Sequence, residues 1–304
     1  MSGTVINKVQ PKSHVRLPLR LKRRRRQLGC SMKLITWNTA HRSSRAREQV
    51  AILLERHPDI IALQEVTPSS GRQLADLLLQ NGLGHITVSD RCDSPDKRIS
   101  RSYGVLVASR LPMSTLNPQL PLPFKEKSLS VIIHCRGIPV ELHTVHIPPG
   151  SSNGWTKVEC LEAVYRGLAA TARQSRVLCG DFNAPQSESS GAAVITWGQR
   201  LGSNGNVRTL RRIRGGSGDR WDAAERNILI GLAEYDLTDV FRSLHGYGVP
   251  EYSWNLNRRG MQVKRRFDHV FASKDMHPLS CRYLHEVDGH QLSDHTPLEV
   301  EFHP

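Results

Sequence analysis

The amino-acid sequence predicts a mixed α/β (α+β) fold, with mixed β-sheets and helices packed outside them. Short apolar runs alternate with amphipathic helical segments through the first half of the chain, and hairpin-like pairs of strands are interspersed among them. A single α/β domain of 304 residues can bury roughly three quarters of its unfolded surface, so it needs no disulfide or structural metal to stabilise it. We therefore expect one domain over residues 32–304, after a basic N-terminal extension.

Short apolar runs predict the strands. They are expected, in chain order, at 33–37, 60–65, 86–90, 103–109, 129–135, 139–147, 177–180, 266–273 and 298–302. Several of these runs are apolar throughout, which is typical of strands that are covered on both faces.

Apolar residues at helical spacing predict helices over 45–57, 71–82 and 221–235. Gly82 ends the second of these as a C-terminal stop. Thr156-x-x-Glu159 predicts a capping box that opens another helix. Residues 186–220 are rich in Gly, Ser and Arg without a clear period, which predicts a long loop or insertion.

The formal net charge of +14 is concentrated at the N-terminus. Residues 1–31 contain nine Lys or Arg and no acid, whereas the rest of the chain has 33 basic and 28 acidic residues. We expect this head to be disordered and to attract polyanions, nucleic acid above all. The alternative is that translation starts at Met32 and the head is not made.

Cysteine usage predicts an intracellular, cytoplasmic protein. None of the six cysteines forms a C-x-x-C pair, and several lie in apolar runs: Cys30, Cys92, Cys135, Cys160, Cys179 and Cys281. We expect buried free thiols rather than disulfides or a zinc site. No apolar run of ~18 residues and no secretion signal stand out.

Polar side chains stand at or near the ends of the predicted strands, where ligands commonly bind in α/β proteins. They are Asn38, Glu65, His146, Asp181, Asn183, Asp268, Asp294 and His295. Taken singly, most have an ordinary structural explanation as turn formers, loop acids or a core histidine. Asp268 is harder to explain in this way, because an acid on a strand face is rarely buried without a partner.

Together these residues favour an enzyme that acts on phosphate esters. Carboxylate and amide oxygens suit a hard cation such as Mg²⁺, and histidines beside them suit charge stabilisation and proton transfer near neutral pH. A zinc site at His143-x-x-His146 is a weaker alternative, because strand residues three apart face opposite ways.

Six motifs in order resemble those of the endonuclease/exonuclease/phosphatase superfamily, which has the deoxyribonuclease I-like fold. They are TWN (36–38), LQEV (63–66), HTVHIPP (143–149), GDFN (180–183), FDHVF (267–271) and SDHTPLEV (293–300). The resemblance runs from about Lys33 to Phe302. It implies a four-layer α/β/β/α sandwich with its site at one rim of the paired sheets.

The resemblance also implies a Mg²⁺ site, with Mn²⁺ as the alternative ion. Glu65 would be the principal ligand and Asn38 would bind the same ion. Asp294 would be a second acidic ligand, either directly or through water.

Five further residues receive catalytic roles from the resemblance. Asp181 would orient or deprotonate the attacking water, and Asn183 would position the phosphate. His295 would contact the scissile phosphate as an acid/base group, with Asp268 fixing its tautomer. His146 would stabilise charge in the transition state or protonate the leaving oxygen.

Departures from the family patterns bear on the substrate. Ala40 and QEVTP stand where abasic-site endonucleases carry an acid and a QETK motif, which counts against an abasic-site repair enzyme. FDHVF stands in place of the aromatic–Cys–Asp–Arg run of inositol polyphosphate 5-phosphatases. No obvious acid near residues 101–104 pairs with His146, which leaves Tyr103 or Arg101 as its partner.

Basic residues near the expected rim favour a nucleic-acid substrate. They are Arg211, Arg212 and Arg214 after GDFN, and Arg258, Arg259, Lys264, Arg265 and Arg266 before Asp268. The leading hypothesis is a Mg²⁺-dependent nuclease or related phosphodiesterase. The alternatives are a phosphatase acting on a small molecule or lipid headgroup, and a nucleic-acid-binding protein with weak or no catalysis.

Overall fold

The computed structural model describes residues 31–89, 103–190, 193–258 and 260–304. Within them, two six-stranded sheets stack face to face, and helices cover the outer face of each sheet. The four-layer α/β/β/α architecture that the resemblance implies is confirmed. The basic extension lies outside the described residues, apart from Ser31.

The described residues form twenty strands. In chain order they are β1 Met32–Asn38, β2 Ile60–Val66, β3 His85–Val88, β4 Gly104–Ser109, β5 Met113–Thr115, β6 Ser128–Cys135, β7 Ile138–His146, β8 Ser175–Asp181, β9 Ser187–Ser189, β10 Ala193–Ile195, β11 Gln199–Leu201, β12 Val207–Thr209, β13 Arg212–Ile213, β14 Gly216–Ser217, β15 Thr238–Asp239, β16 Trp254–Arg258, β17 Met261–Arg265, β18 Asp268–Ala272, β19 Pro278–Tyr283 and β20 Leu298–Phe302. One large sheet has the order β19-β20-β1-β2-β4-β3, and the other has the order β15-β18-β8-β7-β6-β5.

Six α-helices are present in the described ranges: α1 Ala46–Leu54, α2 Pro68–Gln80, α3 Gly150–Asn153, α4 Thr156–Leu168, α5 Gly218–Leu229 and α6 Val240–His245. Helix α2 begins before the predicted residue 71. Its start is set by a capping box in which the Ser70 N–H donates to the Thr67 hydroxyl at 3.0 Å and the Thr67 N–H donates to the Ser70 hydroxyl at 2.8 Å. Pro68 stands at the first helical position, where its missing N–H costs nothing.

Three apolar clusters hold the four layers together. The cluster between the two sheets includes Leu34, Val107, Val131, Val177 and Val300. Helices α1 and α2 cover the first sheet, and α4 and α5 cover the second. Successive residues of β1 serve different clusters, Leu34 facing the other sheet and Ile35 facing the helices, which explains why such strands are apolar throughout.

The topology brings distant segments to one rim. Strands β1 and β2 run parallel, as do β7 and β8, so their carboxyl ends point the same way within each sheet. β18 runs antiparallel to β8 and starts opposite its end, with Asp268 paired to Asp181. β20 runs antiparallel to β1, so the loop before it reaches the end of β1.

Two predictions about local structure are wrong. Thr156 makes no side-chain cap, because the backbone carbonyls of Gly154 and Trp155 already accept hydrogen bonds from the N–H groups of Lys157 and Glu159. Residues 186–220 are not an irregular loop but contain three short hairpins, β9/β10, β11/β12 and β13/β14. Strands of two or three residues are too short to show a period.

The described part of the chain contains no helix that is long and apolar enough to cross a membrane.

Candidate active site

Asp181 lies at the centre of the polar cluster on the rim. It ends β8, is 1% exposed, and accepts hydrogen bonds at Oδ2 from Asn38 Nδ2 at 2.9 Å and Asn183 Nδ2 at 3.2 Å. Two imidazoles face the same oxygen, with His146 Nε2 at 3.8 Å and His295 Nε2 at 3.9 Å. The fold therefore gathers four of the other seven residues singled out in the sequence around the Asp181 carboxylate.

Glu65 lies beside this centre, near the end of β2. Its backbone has a φ of 56°, a left-handed conformation that is uncommon outside glycine, at the point where the register with β4 shifts. Oε1 accepts a hydrogen bond from Asn38 Nδ2 at 3.2 Å and lies 3.5 Å from His146 Nε2. Oε2 lies 2.9 Å from His41 Nδ1, so the carboxylate bridges an amide and two imidazoles.

Asp268 and His295 form a close pair on the other side of Asp181. His295 Nδ1 lies 2.7 Å from Asp268 Oδ2, and both side chains are nearly inaccessible. The loop that carries His295 is fastened to the end of β1, because Trp37 Nε1 donates to the His295 carbonyl at 2.7 Å. Ligand atoms of Asp181, Asp268 and His295 lie within 4.8 Å of one another, close enough to hold one metal ion.

Asp294 stands further out than the other acids. It is exposed, and its Oδ2 accepts a hydrogen bond from Trp254 Nε1 at 3.1 Å. It lines the same cleft as Glu65 and Asp181 without a direct contact to either carboxylate among the described interactions. All eight residues are thus at or beside one rim, with Asp294 at its edge.

A buried network holds the loop that follows Asp181. The Asn183 carbonyl accepts hydrogen bonds from Lys157 Nζ at 2.8 Å and Trp197 Nε1 at 3.1 Å. Lys157 is itself 1% exposed and paired with Glu225 Oε1 at 2.6 Å. Sequence reasoning missed this pair, because its members lie on α4 and α5, 68 positions apart.

The two histidines have opposite electrostatic environments. For His295, burial disfavours the charged form, but the carboxylates of Asp268 and Asp181 prevail and raise the pKa to about 10. For His146, burial together with the positive charges of Lys127 and His295 holds the pKa well below 6.5. Burial, opposed by His295 and reinforced by Asp268, raises the pKa of Asp181 to about 7. The site thus pairs a cationic His295 with a neutral His146.

Lys127 is the neighbour of His146 that the sequence did not reveal. Its Nζ lies 3.3 Å from His146 Nδ1 and 5.4 Å from the centre of the Tyr103 ring. The predicted partners differ from this: Tyr103 contacts Lys127 rather than hydrogen-bonding His146, and Arg101 lies outside the described residues. The contact follows from the pairing of β6 with β7 in the fold, because Ser128 pairs with Val145 and the next antiparallel step brings Lys127 to His146.

A cleft of about 740 Å³ opens from this rim. Its walls carry the apolar and aromatic side chains Trp197, Trp221, Trp254, Leu256, Val263 and Phe267, and the basic side chains Arg214 and Arg265. Arg266 is different from its neighbour, because it is buried and bound to Glu188 and Asp239 rather than turned to the cleft.

The structure also bears on the alternative zinc site at His143 and His146 and on the predicted free thiols. His143 bonds Ser130 Oγ through Nδ1 at 2.8 Å while His146 faces Glu65, so the two do not face one common centre. Cys160, Cys179 and Cys281 are buried and form no disulfide among the described residues, and Cys135 is buried as well. Cys30 and Cys92 lie outside the described residues.

Comparison with known proteins agrees with this geometry. A family model, the Endonuclease/Exonuclease/phosphatase family, matches residues 35–295. No curated protein sequence matches the chain significantly. Similar solved structures include an AP endonuclease from Archaeoglobus fulgidus, with a TM-score of 0.63 and 20% identity over 89% of this chain and 99% of that one.

Two further solved structures are similar over most of the chain. An endonuclease/exonuclease/phosphatase from Beutenbergia cavernae DSM 12333 has a TM-score of 0.59 and 19% identity over 90% of this chain and 71% of that one. D. rerio TDP2, humanized by 14 mutations, has a TM-score of 0.60 and 17% identity over 90% of this chain and 100% of that one. At such identities the likeness is one of fold, and it confirms the deoxyribonuclease I-like architecture.

Proposed function

Because the chain belongs to the endonuclease/exonuclease/phosphatase family, we propose that it is a Mg²⁺-dependent phosphoesterase that hydrolyses phosphodiester bonds in nucleic acid. The observation that carries the proposal is the convergence on Asp181 of two amides and two imidazoles at the mouth of a cleft with aromatic and basic walls.

The donor set fits a divalent cation. Glu65, Asp181 and Asp268 concentrate negative charge at one rim, and Asp268 Oδ1 is a buried carboxylate oxygen with no hydrogen-bond partner among the described residues. We assign Glu65, Asn38 and Asp294 to hold Mg²⁺, or Mn²⁺ in its place, because oxygen ligands suit these ions. A bound ion supplies Lewis-acid stabilisation of phosphate charge.

The protein groups divide the remaining work. Asp181, with its pKa raised toward neutrality by burial, accepts a proton from the attacking water. Cationic His295, oriented by Asp268, donates through Nε2 to a phosphate oxygen and supplies the proton that the departing oxygen takes up when the P–O bond breaks. The side-chain amide of Asn183 donates a hydrogen bond to Asp181. When substrate binds, the same amide donates to the phosphate instead. Such positioned charges are the main source of rate in phosphoryl transfer.

The cleft supports nucleic acid as the substrate. Trp254 lies beside Asp294, and indole faces next to the reacting groups offer a surface on which a base can stack. Arg214 and Arg265 on the same walls place positive charge where a phosphate backbone would run.

Cleavage assays with a substrate panel test the function. We expect the protein to cut plasmid, single-stranded DNA or RNA in the presence of Mg²⁺ and to be inactive in EDTA. Release of inorganic phosphate from small-molecule or lipid monoesters, with every nucleic acid left intact, would instead establish the phosphatase. Binding to nucleic acid without cleavage of any substrate would establish the non-catalytic alternative.

Glu65→Gln tests the metal assignment. The change keeps the shape of the side chain but removes its charge, so we expect at least about a 100-fold loss of kcat and weaker Mg²⁺ binding by calorimetry. Glu55→Gln, an exposed glutamate at the end of α1, is the matched control and should behave like the wild type. Equal Mg²⁺ affinity in both variants would refute the assignment.

Trp254→Ala tests the stacking surface. Loss of one stacked base is worth about 1–3 kcal/mol, so KM for an oligonucleotide should rise by about 5- to 150-fold. Hydrolysis of bis(nitrophenyl) phosphate, which has no base, should change little. Trp254→Phe keeps an aromatic face but loses the hydrogen bond to Asp294, and it should retain most of the oligonucleotide affinity. Equal losses on both substrates would exclude a stacking role.

A further inference from the structure

Lys127 is buried, and among the described residues it has no carboxylate partner of the kind that a buried lysine normally has. It is 8% exposed, and no carboxylate oxygen among the described residues lies within ion-pair distance of its Nζ. Its polar contact is the imidazole of His146, with Nζ 3.3 Å from Nδ1. Lys157, the other buried lysine of this region, shows the ordinary arrangement, since its Nζ is 2.6 Å from Glu225 Oε1.

The surroundings of Lys127 hold its ammonium group in place. The residue immediately precedes β6, whose pairing with β7 brings it beside His146. The Nζ atom lies over the Tyr103 ring, 5.4 Å from its centre, and that ring stacks on His41 at 4.6 Å with an interplanar angle of 1°. His41 in turn contacts Glu65, so the support of Lys127 is built into the site.

Only one arrangement of protons fits the contact between Lys127 Nζ and His146 Nδ1. A lysine ammonium has three donors and no acceptor, so Nδ1 of His146 must accept the hydrogen bond. A neutral imidazole with an accepting Nδ1 carries its proton on Nε2. Nε2 is the atom that lies 3.5 Å from Glu65 Oε1 and 3.8 Å from Asp181 Oδ2, facing the reacting centre.

We propose that Lys127 is a positioning residue that fixes His146 as the neutral Nε2–H tautomer and thereby makes it a hydrogen-bond donor to the reacting phosphate. The role of His146 as a donor to phosphate rests on the proposed function of this site, whereas the tautomer of His146 does not. The arrangement is the reverse of that at His295, where the Asp268 carboxylate receives the Nδ1 proton and favours imidazolium. One imidazole is therefore a neutral donor and the other a cation.

The charges around Lys127 agree with an ammonium in this position. Burial lowers its pKa, and the carboxylates of Glu65, Glu126 and Asp181 oppose that effect. Burial, and after it the charge of Lys127, lowers the pKa of His146. With Nδ1 of His146 accepting from Lys127, the Nε2–H that faces Glu65 and Asp181 is the group that donates a hydrogen bond to a phosphate oxygen.

Nuclear magnetic resonance of the full chain tests the tautomer without any substrate. In ¹⁵N-histidine-labelled wild-type protein, long-range proton–nitrogen correlations should show His146 with a protonated Nε2 and an unprotonated Nδ1. Lys127→Met, which keeps a linear apolar stem but has no donor, should lose this single tautomer. Lys127→Arg, which keeps a donor, should preserve it.

Kinetics of the same variants test the consequence. Lys127→Met should lower kcat by about 10- to 100-fold with little change in KM, as expected when the partner that orients a catalytic imidazole is lost. Lys127→Arg should recover most of that loss. Full activity and an unchanged tautomer in Lys127→Met would overturn the proposal, as would an Nδ1–H tautomer in the wild type.

Failure of the proposed function and failure of the role proposed for Lys127 give different results. If no phosphoester is cleaved by any form while the spectra behave as described, the proposed function fails and the positioning of His146 stands. If cleavage is observed but the spectra show His146 with its proton on Nδ1, the function stands and the role of Lys127 is refuted.

Discussion

Replacing Asp181 with Asn is expected to lower kcat by about 10²- to 10⁴-fold, which is the range for loss of a general base at the reacting centre. Asn has nearly the same shape but cannot accept a proton from water. The two carboxylate oxygens also accept from the Asn38 and Asn183 amides and from the Asn183 N–H, and an Asn side chain, with a single acceptor oxygen, cannot satisfy all of these donors. The measurement is steady-state cleavage of an oligonucleotide with Mg²⁺.

A matched variant separates chemistry from folding. Asp76→Asn makes the same chemical change at an exposed position on α2 and should leave kcat unchanged. Circular dichroism should show the same secondary structure for both variants. An Asp181→Asn protein that keeps more than about a tenth of the wild-type rate would contradict the assignment of Asp181 as the base.

The largest loss of stability is expected from Arg266→Met. Arg266 is 4% exposed and binds two buried carboxylates, with Nε 2.7 Å from Glu188 Oε2 and Nη2 2.7 Å from Asp239 Oδ2. Removing the guanidinium leaves both acids buried without that charge, which costs about 3–5 kcal/mol in comparable cases. Urea unfolding at neutral pH measures the effect.

Arg282→Met is the control for this experiment. Arg282 also binds an acid, Glu299, but half of its side chain is exposed. Exposed pairs contribute about 0–1 kcal/mol, so this change should be nearly neutral. If Arg266→Met costs no more than Arg282→Met, the buried network does not stabilise the fold as argued.

The same network predicts how stability depends on pH. Burial alone would raise the pKa of Glu188, but Arg266 and Arg242 prevail and hold it at about 2, and Arg266 likewise holds the pKa of Asp239 well below its usual value. A folded-state pKa below the unfolded value gives stability that is present above the unfolded pKa and lost as pH falls through the folded one. The free-energy difference between wild type and Arg266→Met should therefore shrink as pH is lowered from about 5 toward 2.

The network around Arg266 also extends to the loop that carries Asn183. His269 links Asp239 to the Ala184 carbonyl, which follows Asn183 in the chain, with contacts of 3.0 and 2.8 Å. We therefore expect Arg266→Met to reduce kcat as well as stability.

The rim could be predicted because polar residues that end apolar strands are visible in the sequence. Asn38 and Asp181 stand directly at strand ends, and the structure places them 2.9 Å apart although 143 positions separate them. The strands themselves were predictable because both faces are covered, which requires uninterrupted apolar runs. For the strands that carry these residues only the packing had to come from the structure, whereas the short hairpins within 186–220 were not predicted.

The supporting residues could not be predicted, because nothing local marks them. Lys127 and Lys157 look like ordinary surface lysines in the sequence, and their burial depends on pairings between distant elements. Arg266 directly follows Lys264, which is exposed, and Arg265, which lines the cleft, and only the turn into β18 directs it inward. The left-handed backbone of Glu65 likewise depends on the register shift beside β4.

Anomalous diffraction from crystals soaked in Mn²⁺ tests the central claim, that distant acids, amides and imidazoles together form one divalent-cation site. We predict a single strong peak within coordination distance of the Glu65 carboxylate, and its loss in Glu65→Gln crystals. A peak bound elsewhere, or none at a Mn²⁺ concentration that supports cleavage, would contradict the account.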